Sequence, residues 1–216
     1  MKKAWVSGAT PEHHHQKNKA RKVKTKMKKY NIKLESICTM LHHGSQAVGM
    51  EEPQTKRKGG SAVHGDKDEW KKTIYYDEQH GVYLPAINME ACMKEAAKQF
   101  KIGRGTATKY INSGVFCTEE HLPLYINGTI IKTLDDPRIT IDKRTIKNPN
   151  TKGRQVRYRA KFNQWTTEFQ LMVTADDYID KKLLTEIIKY GGNFIGIGDF
   201  RPRFGRYKLI SITEVN

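Results

Sequence analysis

The sequence predicts an α+β fold in which an antiparallel sheet carries helices on one face. Two segments with the 3.6-residue spacing of amphipathic helices lie between segments with the patterns of strands. The chain has 216 residues, enough for one domain with a substantial core. Its 39 Lys and Arg against 23 Asp and Glu give a formal net charge of +16, which attracts polyanions. Because no segment has the pattern of a basic amphipathic helix, this charge favours nucleic acid over a membrane as the partner.

The N-terminal third is predicted to hold one strand between two polar segments. Residues 1–29 form a basic tail without the apolar residues for a core, and we expect it to be disordered. Three consecutive histidines in this tail do not predict a metal site, because adjacent side chains in an extended segment diverge. Apolar residues predict the first strand at residues 30–41. Residues 45–72 lack apolar periodicity and are predicted to be an inserted loop.

The first helix is predicted after the extended residues 81–85, with Asn88 as its N-cap. Its buried face is expected to consist of apolar residues at helical spacing, namely Met89, Cys92, Met93, Ala96 and Phe100. Residues 101–154 contain short apolar pieces between turn signals. We interpret them as a second insertion of small strands and loops.

A hairpin is predicted from residues 156–162 and 168–173, where apolar and polar residues alternate. The first of these strands projects three cations to one side: Arg157, Arg159 and Lys161. Two interpretations of these cations remain open. They contact nucleic acid, or they belong to a solvated sheet face and pair across the strands with Glu168.

The C-terminal part predicts a second helix and a last strand. Asp180 is expected to cap the helix, Gly191 to end it, and residues 207–213 to form the strand. With the insertions left out, the order of elements is βαββαβ. This is the order of ferredoxin-like and RRM-like folds, and it predicts a single domain over residues 30–216.

The most informative segment is residues 190–207, which combines glycines with arginines. Glycine lets the backbone approach an anion closely, and guanidinium groups bind phosphate oxygens through two parallel bonds. The segment therefore predicts a phosphate-binding loop, with a simple glycine-rich turn as the alternative. The residues expected to take part are Gly196, Gly198, Arg201, Arg203 and Arg206.

Three segments carry a family resemblance. Residues 32–45 end in Leu-His-His-Gly-Ser, residues 81–97 lead from an extended segment into a helix, and residues 191–206 are rich in glycine. In this order and spacing they resemble three motifs of the RAMP superfamily, the backbone subunits of CRISPR effector complexes. The second segment departs from the family pattern, which prefers Gly-Ser-Ser where this chain has Ala86-Ile87-Asn88.

The resemblance implies a non-catalytic protein that contacts the phosphate backbone of single-stranded RNA. It also implies self-association into an oligomer or filament along the RNA. The RNA-cleaving relatives place an aspartate near the position of Lys71, so we assign no catalytic residue, no metal and no cofactor. The compact chain suggests a stand-alone relative from a phage or mobile element. The residues expected to bind nucleic acid are His42, His43, Lys56, Arg57, Lys58, Arg157, Arg159, Lys161, Gly196, Gly198, Arg201, Arg203 and Arg206.

Other functions remain open on the sequence alone. A ribonuclease could use His42 or His43 as general base, or Asp66 and Asp68 with a metal. A single-stranded DNA-binding or annealing protein would carry the same charge, because the contact that distinguishes RNA is made to the 2′-hydroxyl. A protein-binding inhibitor or a structural protein is a weaker alternative. Widely spaced cysteines and the lack of an apolar leader or membrane span lead us to expect a cytoplasmic protein without membrane contact.

Overall fold

The computed structural model describes residues 27–44, 69–147, 152–175 and 177–215. The fold is α+β with a large antiparallel sheet, as predicted. The strands are β1 (Lys28–Ser36), β2 (Met40–Leu41), β3 (Tyr76–Asp77), β4 (Gly81–Pro85), β5 (Lys101–Ile102), β6 (Gly105–Thr106), β7 (Val115–Cys117), β8 (His121–Ile126), β9 (Thr129–Ile130), β10 (Thr140–Lys147), β11 (Arg154–Phe162), β12 (Trp165–Val173) and β13 (Tyr207–Val215). The helices are α1 (Glu69–Lys72), α2 (Ala86–Ala96), α3 (Thr108–Gly114) and α4 (Lys181–Tyr190).

Four neighbouring antiparallel strands form the centre of the main sheet, in the order β13-β1-β12-β8. Because β12 lies between β1 and β8, these two strands are parallel to each other, and α2 lies in the connection between them. β12 and β13 are likewise parallel to each other, because β1 lies between them, and α4 lies in the connection from β12 to β13. This is the split βαβ arrangement of ferredoxin-like and RRM-like folds. Beyond β8 the sheet continues with β4 and β3.

The predicted hairpin is wrong, because β11 and β12 belong to different sheets. β11 pairs with β10 and β2 in a separate three-stranded sheet, whereas β12 pairs with β1, β7 and β8. The second strand of the ferredoxin-like core is therefore β8, which lies within the predicted insertion 101–154. Glu168, considered above as a partner for the β11 cations, pairs instead with Lys33 of β1.

The predicted first strand consists of two strands in different sheets. β1 begins at Lys28, so the last residues of the predicted tail belong to the main sheet. Ile37 and Cys38 leave that sheet, and their backbone N–H groups donate to the carbonyl oxygen of Arg206 at 2.9 and 3.3 Å. The chain then enters β2. Residues 1–26 and 45–68 lie outside the described residues, and residues 69–72 of the predicted first insertion form α1.

Helices α2 and α4 confirm the two predicted helices, although the start of α2 differs. Pro85 rather than Asn88 occupies the N-cap position of α2, because the chain passes directly from β4 into the helix. Asp180 caps α4 as predicted, and its carboxylate accepts a hydrogen bond from Leu183 N at 2.7 Å. In the described part of the chain, no helix is long and apolar enough to span a membrane.

α4 ends at Tyr190 with Gly191 at the C-cap position, as predicted, but Gly191 does not adopt a left-handed conformation. Its φ is −54°, and the chain continues through a wider helical turn until Gly196, where φ is +79°. A Cβ on Gly191 would lie 3.0 Å from the sulfur of Cys92 and 2.9 Å from the hydroxyl of Tyr207. Close packing against α2 and β13, rather than a left-handed turn, therefore explains this glycine.

One face of the main sheet is buried and the other is exposed. Tyr30, Ile32 and Leu34 of β1 are at most 1% exposed and share one core cluster with the buried residues of α2 and α4. The intervening side chains point the other way, where Lys33 and Glu168 form an ion pair and are each about half exposed. The helices thus cover one side of the sheet and leave the other open.

Candidate nucleic-acid interface

Residues 196–206, here called the glycine-arginine loop, pack along the link between β1 and β2. The backbone N–H of Asp199 donates to Leu41 O at 2.8 Å, and that of Gly205 donates to Thr39 O at 2.8 Å. These two backbone hydrogen bonds hold the loop against β2 and the residues before it. The loop therefore belongs to the packed fold.

Two glycines of the loop occupy positions where a side chain does not fit. Gly198 has φ +82°, and a Cβ there would lie 2.6 Å from Leu41 O. Gly205 has φ +75°, and a Cβ would lie 1.7 Å from Ile197 O. The conformation of the loop itself thus requires glycine at these positions. The predicted phosphate contacts of Gly196 and Gly198 stay predictions.

The predicted row of cations on β11 faces the glycine-arginine loop. Arg159 is 6% exposed, and its Nε lies 2.5 Å from Oδ2 of Asp199 in the loop. A buried guanidinium needs a carboxylate partner, and Asp199 provides it. The prediction that Arg159 is an exposed nucleic-acid contact is therefore wrong, because the loop covers this side chain and neutralises its charge.

Arg144 of β10 is a further cation on this face that the sequence did not reveal. It stands opposite Arg157 in the register of β10 and β11. Its guanidinium carbon lies 4.6 Å from the ring centroid of Phe204 and 5.4 Å from that of Phe200, both in the loop. Its Nε donates to the carboxylate of Asp142 at 2.8 and 2.9 Å. Only the pairing of β10 with β11 brings Arg144 to this face, and that pairing lay hidden in a predicted insertion.

Contacts of Arg159 with Asp199 and of Arg144 with Phe200 and Phe204 join β11 and β10 to the glycine-arginine loop. Arg201, Arg203 and Arg206 are exposed, and Nε of Arg206 donates to Pro202 O at 2.8 Å. We call the surface at this junction the loop face and define it by its cations outside the buried pair: Arg144, Arg157, Lys161, Arg201, Arg203 and Arg206. The other predicted contacts, Lys56, Arg57 and Lys58, lie outside the described residues.

His42 lies in the core and not on the surface. Its ring is fully buried, with centroids 4.6 Å from Phe162 and 5.1 Å from Tyr75. Burial lowers the pKa of His42 to about 3, so the imidazole is neutral near pH 7. The predicted nucleic-acid contact by His42 is therefore wrong, and a base buried in this way does not reach an RNA hydroxyl. His43 is only partly buried, and its carbonyl oxygen accepts a hydrogen bond from Tyr75 Oη at 3.2 Å.

A small open pocket of about 100 Å³ adjoins the loop face. It is lined by His43, Tyr75, Asn88, Gly198 and Asp199. His43 follows β2, Asn88 lies in the first turn of α2, and Gly198 belongs to the glycine-arginine loop. The three segments that carry the family resemblance therefore meet at this pocket.

A row of aromatic rings leads from the pocket along the open face of the main sheet. The ring centroids are 6.1 Å apart for Tyr75 and Tyr83, 4.0 Å for Tyr83 and His121, and 4.8 Å for His121 and His80. Tyr83 and His121 alternate with buried residues of β4 and β8, which places them on the face away from the helices.

At the end of this row, Asp77, His80 and His121 form a cluster of potential metal ligands. Oδ2 of Asp77 lies 2.9 Å from Nδ1 of His80 and 3.5 Å from Nδ1 of His121. The backbone N–H of His80 donates to the Asp77 carboxylate, and this bond with the two imidazoles holds the pKa of Asp77 below its usual value. The sequence did not predict the cluster, because only the pairing of β3 and β8 with β4 brings these distant residues together.

Comparisons with known proteins give a fold match without a family match. No protein-family model matches the chain, and no curated protein matches it. Among solved structures, a chain in the cryo-EM structure of the Type III-B Cmr-beta bound to cognate target RNA is similar, with a TM-score of 0.50 and 12% sequence identity. The match covers 88% of this chain and 61% of that chain, so this chain spans less than two thirds of that chain's length. At this identity the likeness concerns the fold alone.

Proposed function

We propose that this protein binds single-stranded RNA through the phosphate backbone and does not cleave it. The observation that carries the proposal is the loop face, where the exposed arginines of the glycine-arginine loop lie beside the cations of β10 and β11. Two carboxylates on this face, Asp142 and Asp199, pair with Arg144 and Arg159. As far as the described residues show, the positive charge of Arg201, Arg203 and Arg206 is therefore available to a polyanion.

The chemistry of this face suits phosphates. Guanidinium groups bind phosphate oxygens through two hydrogen bonds, and each contact releases counterions from the nucleic acid. The pocket beside the loop face lies at the N-terminal turn of α2, where the helix dipole attracts an anion. We place one backbone phosphate at this pocket and its neighbours along Arg201 and Arg203.

Two further observations support RNA as the nucleic acid. The three segments that meet at the pocket resemble motifs of the RAMP superfamily. The solved structure of similar fold belongs to an assembly bound to its target RNA. Head-to-tail self-association along RNA, a cytoplasmic location and a stand-alone role, as in a phage or mobile-element relative, are part of the same proposal.

Fluorescence anisotropy with labelled oligonucleotides tests the proposal. Single-stranded RNA, single-stranded DNA and duplex RNA of one sequence are titrated with the full chain at several salt concentrations. We expect the logarithm of the association constant to fall with the logarithm of the salt concentration, by about 0.7 per phosphate contacted, and to depend little on base sequence. A flat salt response or a strong preference for one short sequence contradicts the backbone mechanism, and equal or tighter binding of DNA favours a single-stranded DNA-binding protein.

Self-association is tested separately by the mass of the complexes on RNAs of increasing length. We expect the number of protein chains per RNA to rise in steps with RNA length. A single bound chain at every length contradicts the filament and leaves RNA binding intact.

A further inference from the structure

The cluster of Asp77, His80 and His121 lies on the open face of the main sheet, at the far end of the aromatic row from the pocket. We propose that this cluster binds a divalent transition-metal ion of the zinc type, with Oδ2 of Asp77 and Nδ1 of both histidines as ligands. This proposal is independent of RNA binding, because it rests on residues outside the loop face.

The geometry of the cluster is close to that of a zinc site. One potential ligand atom from each of the three residues lies within 4.8 Å of the other two, and Oδ2 of Asp77 lies 2.9 Å from Nδ1 of His80 and 3.5 Å from Nδ1 of His121. Zinc bonds of about 2.0–2.1 Å in a tetrahedron place ligand atoms about 3.4 Å apart. Small rotations of two partly exposed imidazoles are enough to complete this arrangement. Both Nδ1 atoms also converge on the same carboxylate oxygen, whereas a simple Asp–His pair needs only one imidazole.

The fold holds the three ligands in place. Asp77 ends β3, whose pairing with β4 sets it opposite Gly81, and His121 begins β8 opposite Pro85 of the same strand. The backbone N–H of His80 donates to Oδ1 of Asp77 at 2.6 Å, and Nδ1 of His80 lies 3.0 Å from Oδ1 and 2.9 Å from Oδ2. Hydrogen bonds of this kind to a ligating carboxylate orient it for the metal.

The ligand set selects the class of metal. Two imidazoles with one carboxylate suit zinc, nickel, cobalt or copper, whereas magnesium and calcium prefer an all-oxygen shell. The three side chains are 33–43% exposed, so an ion can reach the cluster from solvent. Three protein ligands leave a further coordination position open for water or for another oxygen ligand.

Cobalt(II) is the probe for the test, because its visible absorption reports the number and type of ligands. The reference protein is the full chain with His13, His14 and His15 changed to Ala, so that cobalt absorption cannot arise from the tail imidazoles. Cobalt(II) is titrated into this protein, and into His80→Ala, His121→Ala and Asp77→Asn made in it. Asp77→Asn retains an oxygen that accepts the hydrogen bond from His80 N, so the turn keeps its conformation. The matched control is Glu78→Gln, which removes a carboxylate from the same turn but not from the cluster.

We expect the reference protein to bind one cobalt ion per chain with the absorption of a nitrogen- and oxygen-ligated site, and zinc to displace it. Each cluster variant should bind at least about tenfold more weakly, whereas Glu78→Gln should bind like the reference. Zinc should also raise the melting temperature of the reference and not that of the cluster variants. No cobalt absorption in the reference, or unchanged absorption in folded His80→Ala and His121→Ala, overturns the proposal.

Discussion

Arg159 Nε lies 2.5 Å from Oδ2 of Asp199, and this ion pair joins β11 to the glycine-arginine loop. The pair is almost inaccessible on the arginine side, and the Asp199 side chain is 29% exposed. It divides the predicted cations into two groups with different roles. Arg159 contacts the loop, whereas Arg201, Arg203 and Arg206 are exposed and stay predicted contacts for nucleic acid.

The ion pair predicts a stability effect when one partner is removed. Asp199→Ala leaves the guanidinium of Arg159 buried without its carboxylate, so the free energy of unfolding should fall by about 1–3 kcal/mol. Urea denaturation measures this change. The control is Asp135→Ala, whose carboxylate is 84% exposed and pairs with Lys71, and which should cost less than about 1 kcal/mol.

Adding Arg159→Met to Asp199→Ala should recover part of the lost stability, because no buried charge is then left without a partner. Equal losses for Asp199→Ala and Asp135→Ala contradict the structural role of the pair. The structural role is also contradicted if the double variant loses as much unfolding free energy as the two single variants lose together.

Replacing Arg201 and Arg203 is predicted to lower the affinity for RNA without lowering the stability of the protein. Replacing Arg201 and Arg203 together by Ala should weaken binding and lower the salt slope by about 1.4, since each phosphate contact contributes about 0.7. Because both side chains are exposed, the free energy of unfolding should change by less than about 0.5 kcal/mol. Anisotropy titrations at several salt concentrations measure the slope.

The matched control for this variant is Lys181→Ala with Lys182→Ala, which removes the same charge from the exposed first turn of α4. It should leave the salt slope nearly unchanged. If the two double variants lose affinity equally, the loop has no special role and general charge accounts for binding. If neither loses affinity, the loop is only a turn.

The glycines of the glycine-arginine loop are predicted to be needed for its conformation, so replacing one of them should lower stability. A Cβ at Gly205 would meet Ile197 O at 1.7 Å, so Gly205→Ala should lower the free energy of unfolding by more than about 3 kcal/mol. Gly103→Ala is the control, because Gly103 also has positive φ but nothing lies within 4 Å of its Cβ position. It should cost only about 1 kcal/mol of conformational strain. Similar costs at both positions, measured by denaturation, contradict the close packing of the loop.

β11 and β12 show which parts of the fold the sequence predicts and which it does not. Alternation of apolar and polar residues located both strands within a few residues, since that pattern depends only on the two faces of a strand. It could not show that the chain changes sheets between them, because both sheets bury one face in the same way. The same limit applies to β8: its short apolar pattern predicts a small strand but does not show that this strand belongs to the main sheet.

The candidate site was predicted in part for a related reason. Spacing and composition placed the loop arginines, which are exposed as expected. The burial of Arg159 and His42 follows from contacts with the loop and with β11 that are distant in the sequence. The cluster of Asp77, His80 and His121 likewise depends on strand pairing, so no local sequence motif predicts it.

His42 predicts a pH dependence of stability. Burial lowers its pKa from 6.5 to about 3 in the folded protein, so between these values only the unfolded chain binds the proton. The stabilising contribution of His42 to the free energy of unfolding is fully present above about pH 6.5. It is lost as the pH falls towards 3, by up to about 1.4 kcal/mol per pH unit. Urea unfolding across this interval should therefore show a smaller slope against pH for His42→Phe, which keeps an aromatic ring against Phe162. An identical slope in the two proteins contradicts a neutral buried His42.

The sequence leaves two routes to RNA cleavage open, one through His42 or His43 as general base and one through Asp66 and Asp68 with a metal. His42 is buried and neutral, and the ammonium of Lys71 lies 2.9 Å from Asp135. By the sequence resemblance, Lys71 lies near the position at which RNA-cleaving members of the RAMP superfamily carry an aspartate. A lysine at that position repels a divalent cation, so it does not support metal-assisted attack. We therefore expect labelled RNA incubated with excess protein and magnesium or manganese to be protected and not cut. Regularly spaced products that disappear in Asp68→Ala would assign cleavage to this carboxylate and make the protein a ribonuclease. Products lost only in Asp77→Asn would assign cleavage to the histidine and aspartate cluster.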